Sequence, residues 1–537
     1  MTTRTRTDVL LLAGFCAFLF FYGTGQFGLI GADEPRYAQV AREMLAHRDW
    51  ITPTLAGRPW LEKPPLYYWQ AMLAYSVLGV TDVAARLPSA IDATFLVVAI
   101  YLFFRRFRRG VEVDAALIAA SSAALVGYAR AASMDMALTA TFSVGMLAWW
   151  SWRESERRIY LTLFYFLMAL AMLAKGPVAP FLAAVIVMLF AAAIHDWRLV
   201  AKTLWLPGIL LFCVVSLPWY VAVQIRNPTF FHEFVLEHNL ARFSTNLYHH
   251  PEPFWYYLPV MALALVPWIL FVSLAFARAV SVWWRERQSF PANPDFELQL
   301  NVFACIWLVV PIIFFSLSRS KLPGYILPAV PAGAILLADY LRRRIEEAQP
   351  LSRIAAVLHA LIAAAPVIPA ILIVYLVEQH RLPGGRPMFV ALAIAFLICA
   401  AIALTLVSRV GLSMLRFVTL IPVVLAVAAV LKLGTTAIDQ TLSARPLAAE
   451  LASVETHTLP VAVCGTSREL EYGLAFYRNQ VIARYELGDM PAEEHLLVAA
   501  PTWKVAIADH TAGRRVLFLG HYAPQDVDYY WVGPAPK

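Results

Sequence analysis

Apolar runs of roughly 17 to 25 residues follow one another from Asp8 to Leu433, each long enough to cross about 30 Å of hydrocarbon as a helix. They predict spans near 8–30, 86–104, 112–128, 134–152, 159–174, 178–195 and 204–223, then near 254–278, 298–317, 325–341, 354–377, 388–407 and 416–433. The expected architecture is an all-α polytopic membrane domain of about 13 transmembrane helices over residues 1–435. No A-x-A-like cleavage site follows the first run, which continues into Gly31-Ala32-Asp33-Glu34, so it reads as a retained helix. Beyond residue 435 the texture changes to strand-like Val461-Ala462-Val463, helical Arg468 to Tyr477, strand-like Val481 to Tyr485, and further runs at Leu496 to Ala499 and Val516 to Leu519. Strands alternating with a helical stretch predict a small α/β domain over 436–537.

The distribution of charge sets the topology. With Arg4 and Arg6 inside, Arg105 to Arg109, Arg153 to Arg158, Arg285 to Arg287, Arg342 to Arg344, and Arg409 with Arg416 all fall at cytoplasmic helix ends, the positive-inside pattern. Counting Pro64 to Val80 as a span would push these clusters outside. Its Pro-Pro opening and Tyr/Trp-rich start fit a helix at the membrane surface instead. Two long extracytoplasmic loops result, 31–85 and 224–253, with short ones near Lys175, 318–324 and 378–387, and the C-terminal domain also lies outside.

Composition agrees with a membrane chain. Of the 537 residues 60% are hydrophobic and 15% charged, with a mean hydropathy of +0.64, against about 45–50% and 25% in soluble domains. The net charge of +7 sits in the helix-end clusters and does not call for nucleic acid. Cys16, Cys213, Cys305, Cys399 and Cys464 show neither metal-ligand spacing nor a disulfide framework.

Polar residues gather on the outer side. The first loop opens Asp33-Glu34-Pro35-Arg36-Tyr37-Ala38 and closes Glu62-Lys63-Pro64-Pro65-Leu66-Tyr67-Tyr68-Trp69. Arg130 and Asp135 flank the fourth span, Lys175 lies in Ala174-Lys175-Gly176-Pro177, and Arg319, Lys321 and Tyr325 lie in one outer turn. Arg36, Lys63, Lys175 and Lys321 are cations suited to a phosphate, arginine bidentately and lysine as a point charge. A carboxylate such as Asp33 suits proton acceptance from an attacking group. Each residue also has a plainer use: outer lysines and arginines snorkel, Asp33-Glu34 favours a helix N-terminus, and Pro-Pro-Leu-Tyr-Tyr-Trp suits an interfacial aromatic belt. Their convergence carries the functional reading. A phosphorylated lipid bearing an activated sugar, its tail in the bilayer, fits such a site.

The motifs at 33–38, 62–69, 174–177 and Lys321-Leu-Pro-Gly-Tyr-Ile-Leu-Pro328, in this order, resemble the bacterial aminoarabinose transferases of lipid A. That family lies within the membrane glycosyltransferase class (GT-C type) that includes protein O-mannosyltransferases. The resemblance covers most of residues 8–433 and implies an undecaprenyl-phosphate sugar donor, a lipid A or other glycan acceptor, membrane lipid as surroundings, and a monomer facing the periplasm from the inner membrane. It implies Asp33 as the catalytic group, Lys63 and Tyr325 near the donor phosphate, and Arg36, Asp135 and Lys175 as a buried charged network beside it; taken with the charge pattern, the expected catalytic set is Asp33, Glu34, Arg36 and Asp135, and the donor-phosphate set Lys63, Lys175, Lys321 and Tyr325. It also implies a metal ion, zinc, tying the first loop to the middle loop through Glu62 and His238, with His232, His249 and His250 as rivals for the histidine position. The rival readings are transfer to a protein hydroxyl or another glycan, a lipid or sugar transporter, for which repeats and midplane charges are expected, and a membrane receptor acting through the C-terminal domain.

Overall fold

The structure, a computed structural model, describes residues 3–241, 252–287, 296–347, 351–368, 386–408, 411–503, 507, 510, 511 and 513–534. The chain forms two compact units. One comprises Met1–Tyr22, Leu61–Tyr67 and Leu87–Val430, the other Gly23–Trp60, Tyr68–Arg86 and Leu431–Lys537.

Among the described residues every predicted span contains helix, though its form often differs from a single straight rod. By length and apolarity, 6 described helices suffice to cross a bilayer, or up to 8 if each bent pair forms one span. Of the other predicted spans, the first is helix Thr3–Cys16 continued by Ala17–Phe21, and the fourth is Met134–Ser155, which carries Asp135, Arg153 and Glu154 near its ends. Val178–Ala193, Arg353–Ala364 and Ala391–Val407 are short apolar helices, and residues 369–385, which include the expected loop start near 378, lie outside the described residues. The spans near 112–128 and 254–278 are broken: Glu112–Ser121 meets Ala123–Ala129 at 67°, and Tyr257–Ala264 meets Ile269–Glu286 at 113°. A break in hydrocarbon frees backbone groups that must find partners within the protein. Here the two breaks supply each other, the Ala123 N–H donating to the Val266 carbonyl (2.9 Å) and the Trp268 indole N–H to the Ser121 hydroxyl (2.9 Å).

Helix Met134–Ser155 is buried on nearly all sides, as expected for a helix without a polar face. Trp149 and Trp150 pack against Phe190 and Phe303, with ring centroids 5.0 to 6.0 Å apart. At one end of the bundle Arg108 and Arg343 each pair with Asp339 (3.1 Å) and with Glu297, while the Asn301 amide donates to Asp339 (2.9 Å). The arginine clusters that mark topology therefore also join helices, and Asp339, 1% exposed, is the carboxylate they surround.

In the second unit, helix Asp33–His47 is followed by strands β1 (Thr54–Leu55) and β2 (Arg58–Pro59). The turn between them places Ala56 (φ 55°) and Gly57 (φ 71°) in the left-handed region, the geometry that matches the twist of a two-residue hairpin. The Glu43 carboxylate accepts both turn N–H groups. The excluded segment forms helix Leu66–Leu78 of 13 residues, shorter than the roughly 20 needed to cross.

The C-terminal part contains β3 (Val461–Cys464), β4 (Ala483–Arg484), β5 (His495–Ala499), β6 (Val516–Tyr522) and β7 (Val527–Val532), in the order β4-β3-β5-β7-β6. β3 runs parallel to β4 and β5, and β7 lies antiparallel between β5 and β6. The first four coincide with runs read as strands. β7 was not read, although its Tyr-Tyr-Trp core between Asp526 and Gly533 has strong strand preference. Ser467 caps helix Arg468–Arg478, accepting from the Leu470 N–H at 3.3 Å, and Asn479 closes it in the left-handed conformation.

Fully buried His495 on β5 receives the Tyr485 hydroxyl at one ring nitrogen and donates to the Glu493 carbonyl (2.8 Å) from the other. Only the neutral ring can do both, and burial accordingly holds its pKa below the ordinary 6.5. A folded value below the unfolded one means stability is present above about pH 6.5 and is lost as pH falls through the folded value. Thermal unfolding between pH 7.5 and 5 should show wild type losing more stability than His495→Gln. Equal losses would rule His495 out as the group responsible.

Candidate functional site

In the first unit the structure gathers Lys63, Asp135, Lys175 and Tyr325. Ser133 caps helix Met134–Ser155, its hydroxyl accepting from the Asp135 N–H (3.1 Å) and donating to the Asp135 carboxylate (2.9 Å). A carboxylate in the first turn is favoured by the helix dipole, as is a cation in the last turn. Lys175 is such a cation, the final residue of helix Arg158–Lys175, where Gly176 (φ 98°) ends the helix. The Lys175 ammonium forms an ion pair with Asp135 and lies 4.6 Å from the Tyr325 ring centroid. Lys63 is close enough for its charge to act on Asp135 as well.

The turn carrying Tyr325 approaches the cluster closely. A Cβ on Gly324 would stand 3.0 Å from the Asp135 carboxyl carbon, so this position of the Lys-Leu-Pro-Gly-Tyr motif requires glycine. Tyr325 packs on Phe315 (5.0 Å between centroids), and the Tyr257 hydroxyl donates to the Leu322 carbonyl (3.1 Å). Lys321, expected at the donor phosphate, is 6% exposed and donates to the Glu252 carbonyl (2.9 Å). Burial lowers its pKa from the ordinary lysine value, with the Glu252 charge opposing. This lysine ties the turn to the backbone of residue 252.

In the second unit, helix Asp33–His47 begins with Asp33, whose carboxylate is half-exposed and paired with Arg36. The Arg36 guanidinium lies within 5.1 to 5.6 Å of the ring centroids of Tyr37, Trp60 and Tyr472, an arrangement that holds a cation by its ring faces. Glu34, expected in the catalytic group, is committed elsewhere. Its carboxylate receives Nη2 of fully buried Arg86 (2.6 Å), Nε of the same group (3.3 Å), and the Ile30 N–H (2.9 Å). Arg86 also donates to the carbonyls of Thr24, Phe27 and Gly28 at 2.6 to 2.9 Å. Its forked donors are thus fully used.

Arg86 escaped the sequence reading. The available signal was an arginine inside an apolar helical run, between Ala84-Ala85 and Leu87-Pro88, where charge is costly enough to demand a partner. Glu34→Gln keeps an acceptor but removes the counter-charge, and should lower stability by about 1.5–3 kcal/mol. Thermal unfolding in detergent checks this, and an unchanged midpoint would mean the pair is dispensable.

Of the expected zinc ligands and their rivals, only Glu62 and His232 have described side chains. Glu62 belongs to the first unit, the side chains of His238, His249 and His250 lie outside the described residues, and His232 pairs with Glu237 (3.3 Å). Among the described residues no group of three or more His, Cys, Asp or Glu could hold a metal. Glu62 and His238 by themselves fall short of the three protein ligands of a catalytic zinc, and no step is routed through one.

Comparison with known proteins bears out the resemblance carried by the motifs. The family described as dolichyl-phosphate-mannose-protein mannosyltransferase matches residues 7–234. An undecaprenyl phosphate-alpha-4-amino-4-deoxy-L-arabinose arabinosyl transferase of Pseudomonas paraeruginosa is 31% identical over 355 residues, covering 65% of this chain and 62% of the relative. Its namesake in Yersinia enterocolitica is 31% identical over 339 residues, 62% of this chain and 58% of the relative. The matched region thus spans under two thirds of those relatives. The crystal structure of ArnT from Cupriavidus metallidurans bound to undecaprenyl phosphate superposes with a TM-score of 0.77 at 23% identity, covering 97% of each chain. The apo form gives 0.75 at 20% identity and 98% coverage. The chain is a mostly helical multi-pass membrane protein with that fold.

Proposed function

We propose that this chain is an inverting glycosyltransferase that moves 4-amino-4-deoxy-L-arabinose from undecaprenyl phosphate to lipid A at the periplasmic face of the bacterial inner membrane. The observation that carries the reading is the cluster of Lys63, Lys175, Asp135 and Tyr325, drawn from the motifs that resemble those of the arabinosyl transferases. The names of the curated relatives support the sugar and the lipid carrier.

The reaction is a single displacement at the anomeric carbon. The acceptor oxygen forms the new bond to that carbon as the bond to the lipid phosphate oxygen breaks, and the leaving phosphate keeps the electron pair. A phosphate leaves readily without a general acid; what it gains from the protein is stabilisation of developing charge by preorganised cations. Lys63 takes this role with Lys175, which Asp135 holds in place, and Tyr325 donates a hydrogen bond. Asp33 orients the attacking group and accepts its proton where the acceptor is a hydroxyl.

The match to protein mannosyltransferases over 7–234 favours a second reading, in which the acceptor is a protein hydroxyl. Purified protein incubated with undecaprenyl-phosphate aminoarabinose and lipid A, with mass spectrometry of the lipid, decides between them. Lipid A heavier by one aminoarabinose establishes the first. Sugar recovered on a protein acceptor supplied in its place establishes the second. No consumption of donor under either condition would remove glycosyl transfer and bring a transporter forward.

A further inference from the structure

The segment that leads into Asp33 has no regular secondary structure over most of its length, yet side chains take its backbone polar groups almost one by one. Arg86 accounts for the carbonyls of Thr24, Phe27 and Gly28, and Glu34 for the Ile30 N–H. Further groups are met by residues more than 400 positions away. Arg445 donates to the Gly25 carbonyl (3.2 Å) and the Gln26 carbonyl (3.1 Å). The Asp439 carboxylate accepts the Gly28 N–H (2.7 Å), and the Tyr477 hydroxyl accepts the Leu29 N–H (2.6 Å).

These side chains are themselves cross-linked. Arg445 pairs with Asp439 (2.7 Å) and Asp82 (2.9 Å), and the Tyr477 hydroxyl donates to the other oxygen of Asp82 (2.6 Å). Gly28 fits because it lacks a side chain: a Cβ there would stand 3.0 Å from that of Arg445 and closer still to the hydroxyls of Ser443 and Tyr477. Helix Arg468–Arg478 continues the contact along helix Asp33–His47, with the Phe476 carbonyl accepting from Arg42 (2.9 Å) and Tyr472 completing the ring set around Arg36. Residues 472 and 476, one turn apart, lie on one helix face.

We infer that the C-terminal part of the chain is a positioning cradle for the loop that presents Asp33, with Tyr477, Arg445 and Asp439 as its positioning residues. A buried hydrogen-bonded network has high stakes: complete, it specifies one backbone path, and removing one member strands the others. The cradle rests on the glycosyl-transfer reading for the meaning of Asp33, and on geometry alone for the loop it holds.

Tyr477→Phe removes one oxygen and nothing else, which makes it the sharp test. Hydrogen exchange of the full-length protein should show the Leu29 and Ile30 amides exchanging about tenfold faster, the loss of one buried bond, with protection of helix Met134–Ser155 unchanged. Turnover per folded molecule should fall about tenfold, with donor KM within about twofold of wild type, because the loop is misplaced and the donor contacts remain. Wild-type exchange at Leu29 and Ile30 would overturn the cradle. Faster exchange with undiminished turnover would overturn its positioning role. A fall in activity matching only the loss of folded protein would make Tyr477 merely structural. Wild-type enzyme inert towards the donor would instead count against glycosyl transfer, while the exchange result still judges the cradle.

Discussion

Asp33→Asn should lower turnover about 10²–10⁴-fold when the acceptor is a hydroxyl, the usual contribution of a positioned base. Asparagine matches the shape of aspartate and can still accept from Arg36, so the loop stays in place and the change isolates the charge. The half-exposed carboxylate beside a ring-held guanidinium suits a group that must meet an incoming acceptor. An acceptor phosphate is already ionised and needs orientation rather than deprotonation, so the same variant should lose much less with a phosphate nucleophile. Single-turnover rates of the two acceptors with one enzyme preparation measure the difference. Wild-type rates with both would dismiss Asp33 from the chemistry.

Lys63→Ala should reduce turnover about 10²–10³-fold, the cost of removing one donor aimed at developing charge. Lys63 acts on Asp135 beside the Lys175 ion pair, the place from which its charge would meet a leaving phosphate. Lys63→Arg keeps the charge while changing its shape, and should retain more activity than alanine. Donor turnover by mass spectrometry checks both variants. If alanine and wild type turn over equally, the phosphate is held elsewhere and the cluster is a structural ion pair.

Parts of this molecule were open to reading along the chain. The apolar runs placed helix in every predicted span among the described residues, because burial in lipid is decided locally by side-chain polarity and length. Ser133 and Asp135 mark a helix start, and Gly176 a stop, through their own backbone preferences. The four motifs singled out the acids and cations on which the proposed reaction is built.

The partners of those charges depended on the fold. Nothing local pairs Glu34 with Arg86, 52 residues on, or directs Lys321 to a carbonyl at residue 252. Nor does any local pattern distinguish a phosphate-binding lysine from an anchored one. The breaks at Ser122 and before Trp268 are equally non-local, since each is tolerable only because the other supplies its hydrogen bonds.

Sequence alone determined a polytopic membrane chain with an outer set of acids and cations, because hydrophobicity and capping act over a few residues. The tertiary structure decided which charges pair with one another and which hold backbone groups. A buried charge must take whatever partner packing brings within reach, and that choice is made among residues hundreds of positions apart.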